Sequence, residues 1–186
     1  MMDQPTLNRR TFMGALPLGL MLTSGQANAT TYFTGDAVKR ALFPGATRFV
    51  DRSVTLNAVQ AKNISATAKT RVSFPNVVAL DAYGAAGKLG TLYIDKVYGK
   101  HEFITYAVAL DAAGAVSGIE IMDYRESYGD QVRNAAWRKQ FAGKRSGQPL
   151  FIDKQVKNIS GATLSCVHIT DGVRRVLATH ALVIAA

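Results

Sequence analysis

Ser160-Gly161-Ala162-Thr163-Leu164-Ser165 stands at the head of the longest helical pattern in the chain. From Leu164 to Ala181 there is no Pro, and the one Gly is Gly172. Cys166, Ile169, Val173, Val176, Leu177 and Ala181 recur at helical spacing, while His168, Asp171, Arg174 and Arg175 take the other side. The pattern predicts a helix over Leu164–Ala181 with one face on a core. At its start the first backbone N–H groups have no intrahelical partner and the dipole is positive, which suits an anionic group such as a phosphate. Gly161 lets the chain turn without Cβ strain, and Thr163 sets a hydroxyl at the positive end. Spacing alone is met equally well by an ordinary cap.

Upstream of this turn the pattern becomes strand-like. Phe103–Leu110 is strongly β-prone, Asp111–Gly114 reads as a hairpin turn, and Val116–Asp123 returns as the partner strand. Val77–Tyr83, a turn over Gly84–Gly87 and Lys88–Tyr98 predict a second hairpin. The expected fold is α+β: a single domain whose antiparallel sheet packs against the C-terminal helix that follows the Ser-Gly-Ala-Thr turn. Nearer the N-terminus, Gly35-Asp36 opens a helix over Ala37–Phe43 that Pro44-Gly45 stops. Phe49-Val50, Ser53–Leu56 and Thr70–Phe74 read as short strands, and Asn57–Lys69 carries a short helix. Within it, Lys62-Asn63-Ile64-Ser65-Ala66-Thr67 nearly repeats Lys157–Thr163 but lacks the glycine that lets the turn fold. Val132–Lys144 predicts an amphipathic helix with Trp137 and Phe141 as core anchors, and Leu150–Ile152 a short strand leading to the turn.

With 186 residues the chain is long enough for one domain with a true core. Lys and Arg number 22 against 13 Asp and Glu, a net charge of +9 scattered along the sequence. This suits an acidic partner or an anionic membrane surface. No basic run is interleaved with aromatics, so nucleic acid is not an expected partner. Cys166 is the only cysteine, which excludes an intramolecular disulfide and thiolate clusters; on the apolar helix face it reads as a buried structural thiol. His101 reads as an exposed turn residue, and His168 and His180 have no carboxylate or cysteine cluster near them, so no metal site is expected. There is no Gly-x-Gly-x-x-Gly between a strand and a helix, nor a nucleophile paired with a base, so no catalytic residue is assigned. Residues 1–29 read as a signal peptide. Asn8-Arg9-Arg10-Thr11-Phe12-Met13 resembles a twin-arginine export signal, a broken apolar stretch follows, and Ala27-Asn28-Ala29 offers a small-x-small cleavage site. The expected location is the periplasm.

The string Ser160-Gly161-Ala162-Thr163-Leu164-Ser165 resembles the flavinylation motif of the FMN-binding domain family, which includes the C subunit of sodium-pumping NADH:quinone oxidoreductase and the G subunit of the Rnf complex. A second stretch of resemblance is Tyr124-Arg125-Glu126-Ser127-Tyr128-Gly129-Asp130, where related domains place a loop with Glu and Gly beside the flavin. The resemblance implies FMN, joined through its phosphate to Thr163 by a dedicated flavin transferase. Ser160, Gly161, Ala162, Leu164, Ser165, Glu126, Tyr124 and Gly129 would complete the cofactor site. Three residues before the motif's Ser, where the recognition pattern usually has Asp, this chain has Lys157. By this resemblance residues 98–186 form the FMN-binding domain, and residues 30–97 the N-terminal part of the mature domain. The implied function is an exported electron-transfer flavoprotein, relaying electrons between a membrane or periplasmic reductase and an acceptor, with a redox protein as partner. Two alternatives stand beside it: the flavin subunit of a reductase acting directly on a small acceptor, and a flavin-free module that docks a partner.

Overall fold

The computed structural model describes residues 30–186; the expected signal peptide lies outside them. Four long strands build the sheet: β4 (Asn76–Gly84), β5 (Gly87–Tyr98), β6 (Phe103–Asp111) and β7 (Val116–Tyr124). They form successive antiparallel hairpins, with β5 in register from Gly90 opposite Asp111 to Tyr98 opposite Phe103. Short strands extend both edges: β1 (Thr30–Thr31) beside β7, and β2 (Arg48–Asp51) and β3 (Val54–Thr55) beside β4. The order across the sheet is β1-β7-β6-β5-β4-β2, with β3 also on β4.

Both faces of the sheet are covered, so β6 is buried almost without interruption from Ile104 to Leu110. On one face Tyr93, Tyr106, Val108, Leu110, Ile119 and Ile121 meet Cys166, Ile169, Val173, Val176 and Leu177 of the C-terminal helix α4 (Thr163–Thr179). On the other, Leu92, Ala107, Ala109 and Met122 meet Val38 and Phe43 from α1 (Gly35–Leu42) and its C-cap. The fold expected from the sequence is the one observed. The helix α2 (Ala58–Ala68) packs its buried Ile64 and Ala68 near Ala178 of α4. Asn57 and Gln60 close its start with a reciprocal capping box.

Four local expectations are corrected. Leu150–Ile152 forms no strand, only an isolated bridge from Ile152 to Val156. Thr70–Phe74 joins no strand and runs as irregular chain through Pro75 into β4. Val132–Lys144 is not one helix but a broken series in which only α3 (Ala135–Arg138) is α-helical, flanked by 3-10 turns at Asp130–Arg133 and Lys139–Phe141. Trp137 and Phe141 still reach the core, stacked edge to face with ring centroids 5.1 Å apart. The last helix is α-helical only to Thr179, then widens into a π-type turn over His180–Ile184. The near-repeat of the motif lies inside α2: with Ala66 where the later copy has Gly161, Ser65 and Thr67 stay helical.

No helix among the described residues is long and apolar enough to cross a membrane.

Candidate functional site

The turn before α4 is built on Gly161, whose φ of +84° lies in the left-handed region where a side chain is strained. The Ala162 N–H closes it by donating to the Ile159 carbonyl at 3.0 Å. Ala162 is then the residue that caps α4, and its methyl is buried rather than offering an oxygen to the helix. The first intrahelical bond runs from the Cys166 N–H to the Ala162 carbonyl. The amides at the start of α4 therefore receive no side-chain cap, although the helix behind them is 17 residues long. Thr163, the first helical residue, is exposed, and its hydroxyl accepts a hydrogen bond from Asn158 Nδ2 at 3.1 Å. Asn158 Oδ1 in turn accepts from the Ile159 N–H. In the sequence Asn158 was one letter in Asn-Ile-Ser; only the turn brings its amide to Thr163.

The loop after β7 meets this helix start. Tyr124 is buried, and its hydroxyl donates to the Tyr128 carbonyl at 2.5 Å and shares a hydrogen bond with Ser165 Oγ at 2.9 Å. Burial raises the pKa of Tyr124, against the lowering effect of Ser165, so the hydroxyl keeps its proton. Gly129, at φ +98°, fits between them: a Cβ there would lie 2.6 Å from Tyr124 Oη and 2.7 Å from Ser165 Oγ. Tyr124 and Gly129, five positions apart, thus form one packed unit with the distant Ser165. Tyr124 serves as the brace of the loop, and Tyr128 is 86% exposed at its tip.

Glu126 turns to the other side of the loop. Its Oε1 accepts from the backbone N–H groups of Lys100, His101 and Glu102, binding the loop to the β5–β6 turn. Burial pushes the Glu126 pKa up, but the three amides of Glu102, His101 and Lys100 outweigh it and hold the carboxyl below its ordinary value. Gly99 makes room for this, since a Cβ there would lie 2.4 Å from Glu126 Oε1.

Beyond the turn an open groove runs along α4. His168, Asp171 and Arg175 line it from α4, at the three- and four-residue spacing that places them on one face with Leu164. Its far wall is Phe74, Lys96 and Tyr98. Tyr98 and Phe74 each stack edge to face on Phe103, and Lys96 lies 4.6 Å from the Phe74 ring centroid. Arg175 is held by Asp95 at 2.6 Å, and the same carboxylate accepts from the buried Tyr106 hydroxyl at 2.7 Å. His168 Nδ1 is buried and has no hydrogen-bond partner among the described residues. Cys166 is buried, and burial raises its thiol pKa, so it offers no thiolate. Among the described residues no three His, Cys, Asp or Glu side chains are grouped as metal ligands.

Thr163 thus offers an exposed hydroxyl beside uncapped amides, and a groove with aromatic and cationic walls begins further along α4 at His168. Residues 99–178 match the family model described as FMN-binding domain, and this match supports FMN as the cofactor. The match spans both the Glu126–Gly129 loop and the Ser160–Thr163 turn. The crystal structure of NqrC from Shewanella oneidensis is similar at a TM-score of 0.44 and 17% identity, over 80% of this chain and 71% of that one. No curated protein matches the chain.

The residues present fit FMN. The helix start supplies donors without a side-chain cap, Thr163 supplies an accessible oxygen, and aromatic and cationic side chains line the groove further along α4.

Proposed function

We propose that the chain is an exported electron-transfer flavoprotein that carries FMN as a phosphoester on Thr163. A flavin transferase would install it, and a redox partner, membrane-bound or periplasmic, would exchange electrons with it. The observation that carries this reading is the exposed Thr163 hydroxyl at the head of a 17-residue helix with no side-chain cap. A phosphodiester keeps one negative charge, which the amides and the dipole there favour by about 0.3–1 kcal/mol per interaction. That is too little to retain a diffusible cofactor, and a covalent bond makes retention independent of affinity. Bound FMN supplies one- and two-electron transfer.

The chain's own residues position it. Asn158 holds the Thr163 hydroxyl, Ser165 and Tyr124 fix the loop against the helix start, and Glu126 fixes the other end of that loop. The groove begins with His168, five residues and about 7.5 Å along α4 from Thr163, and would receive the ring system. Arg175 is neutralised by Asp95, and Lys96 and Arg71 outnumber Asp171 on the groove lining, which favours negative charge on whatever occupies it.

Mass spectrometry of the chain co-expressed with a flavin transferase tests the proposal. The expected result is one FMN adduct on the peptide containing Thr163, absent in Thr163→Val. An unmodified native chain, or an adduct that persists in Thr163→Val, would overturn it.

A further inference from the structure

Arg174 leaves the groove and enters a separate cleft between the end of α2 and residues 145–149. Its side chain is only 10% exposed. Asp171 pairs with Nη2, and the Phe151 ring lies over the guanidinium, 4.3 Å from its carbon to the ring centroid. Nε and Nη1 are buried with no hydrogen-bond partner among the described residues. Buried donors on a cation are seldom left without an acceptor, because the lost hydration is not returned.

The space around Arg174 consists of two small adjoining clefts, open to solvent, that share Thr67, Gln148 and Arg174. Arg145 lines one and Lys69 the other, and no Asp or Glu lines either. The Gln148 side-chain oxygen is taken by the Arg145 N–H, so the amide NH₂ is what Gln148 has left to offer. Arg174, Arg145 and Lys69 outnumber the one acid, Asp171, which is engaged at Arg174 Nη2, so the cleft repels a metal ion, and a neutral apolar guest would leave Nε and Nη1 unsatisfied. An oxyanion answers both conditions.

We propose that this cleft is an oxyanion-binding site, taking inorganic phosphate or the phosphate group of a small ester, separate from the flavin site. Arg174 follows Thr163 by eleven residues, about 16 Å along α4, so one small anion cannot occupy both places. The proposal does not rest on the flavin reading.

The test is a ¹H–¹⁵N NMR titration of the full chain carrying Thr163→Val, with phosphate added at constant ionic strength. The Arg174 Nε–H and the amides of Lys69 and Gln148 should move together and saturate with a single dissociation constant. Arg174→Lys should weaken binding at least tenfold. The double variant Lys69→Gln, Arg145→Gln, at two exposed positions that leave the core untouched, should weaken it about three- to tenfold. If glycerol phosphate saturates the same signals the source is an ester; if phosphate alone does, it is the free ion. Shifts that drift without saturating, that are confined to Thr163–Ser165, or that survive in the double variant would overturn the proposal.

Discussion

Replacing Gly172 by Ala sets helix propensity against packing. In an exposed helix this change stabilises by about 1 kcal/mol. Here the new Cβ would lie 2.1 Å from Tyr106 Oη, 2.8 Å from Tyr106 Cζ and 3.0 Å from Val97 Cγ1. Gly172 and Tyr106 are both buried, so neither can yield toward solvent. Overpacking costs about 1–3 kcal/mol. Displacing the Tyr106 hydroxyl from the Asp95 carboxylate costs about 1.5–3 kcal/mol more, the range for hydrogen bonds to charged groups. Less the propensity gain, the net destabilisation is about 1.5–5 kcal/mol. With a urea m-value of about 2 kcal/mol/M, a loss near 3 kcal/mol lowers the unfolding midpoint by about 1.5 M. Urea denaturation followed by circular dichroism measures it. Tyr106→Phe removes the nearest atom but leaves Cζ, so in that background Gly172→Ala should cost at least about 1 kcal/mol less, which a double-mutant cycle resolves. A Gly172→Ala chain as stable as the parent, or more so, would refute the reasoning.

Three further outcomes are expected. Trp137→Ala removes a ring stacked on Phe141 and an Nε1–H that donates to the Lys157 carbonyl at 2.8 Å; it should cost about 3–5 kcal/mol by urea denaturation and loosen the segment that delivers the motif turn. Glu126 has a folded pKa below its unfolded value, so its contribution is fully present above the ordinary carboxylate pKa and is lost as pH falls through the folded one; the amide shifts of Lys100, His101 and Glu102 should titrate together in that acid window, and Glu126→Gln should abolish the transition. Lys157 is exposed and, among the described residues, bonds through its backbone alone, to Gln140 and Trp137, so Lys157→Asp should leave stability within about 0.5 kcal/mol and raise the FMN-loaded fraction seen by mass spectrometry if the transferase reads that position.

What could be read from the sequence was local and periodic. The hairpins β4–β5 and β6–β7 were marked by β-prone runs around Gly84–Gly87 and Asp111–Gly114, and α4 by its apolar spacing. Gly129 and Gly161 were singled out by their residue type, and the structure gives both a positive φ. Thr70–Phe74 misled because β propensity alone does not supply a partner strand. The contacts that fix the site joined residues with no shared period: Tyr124 to Ser165 across 41 positions, Asp95 to Arg175 across 80. The direction of Glu126, which binds the β5–β6 turn, likewise depends on where that turn lies in space. Arg174 and Arg175 were indistinguishable as letters, yet Arg175 lines the groove and Arg174 a separate cleft.

Ala162 stands where Ser, Thr, Asn or Asp would ordinarily begin a helix, a choice that forgoes about 1 kcal/mol. Its methyl belongs to the core, so the loss at the helix end is a gain in packing. The result is a polypeptide that must fold before its recognition end exists, since an unfolded chain has neither the aligned dipole nor the clustered amides. Any anion joined there arrives as a finishing step on a completed structure, and acts as the cap the chain itself does not encode.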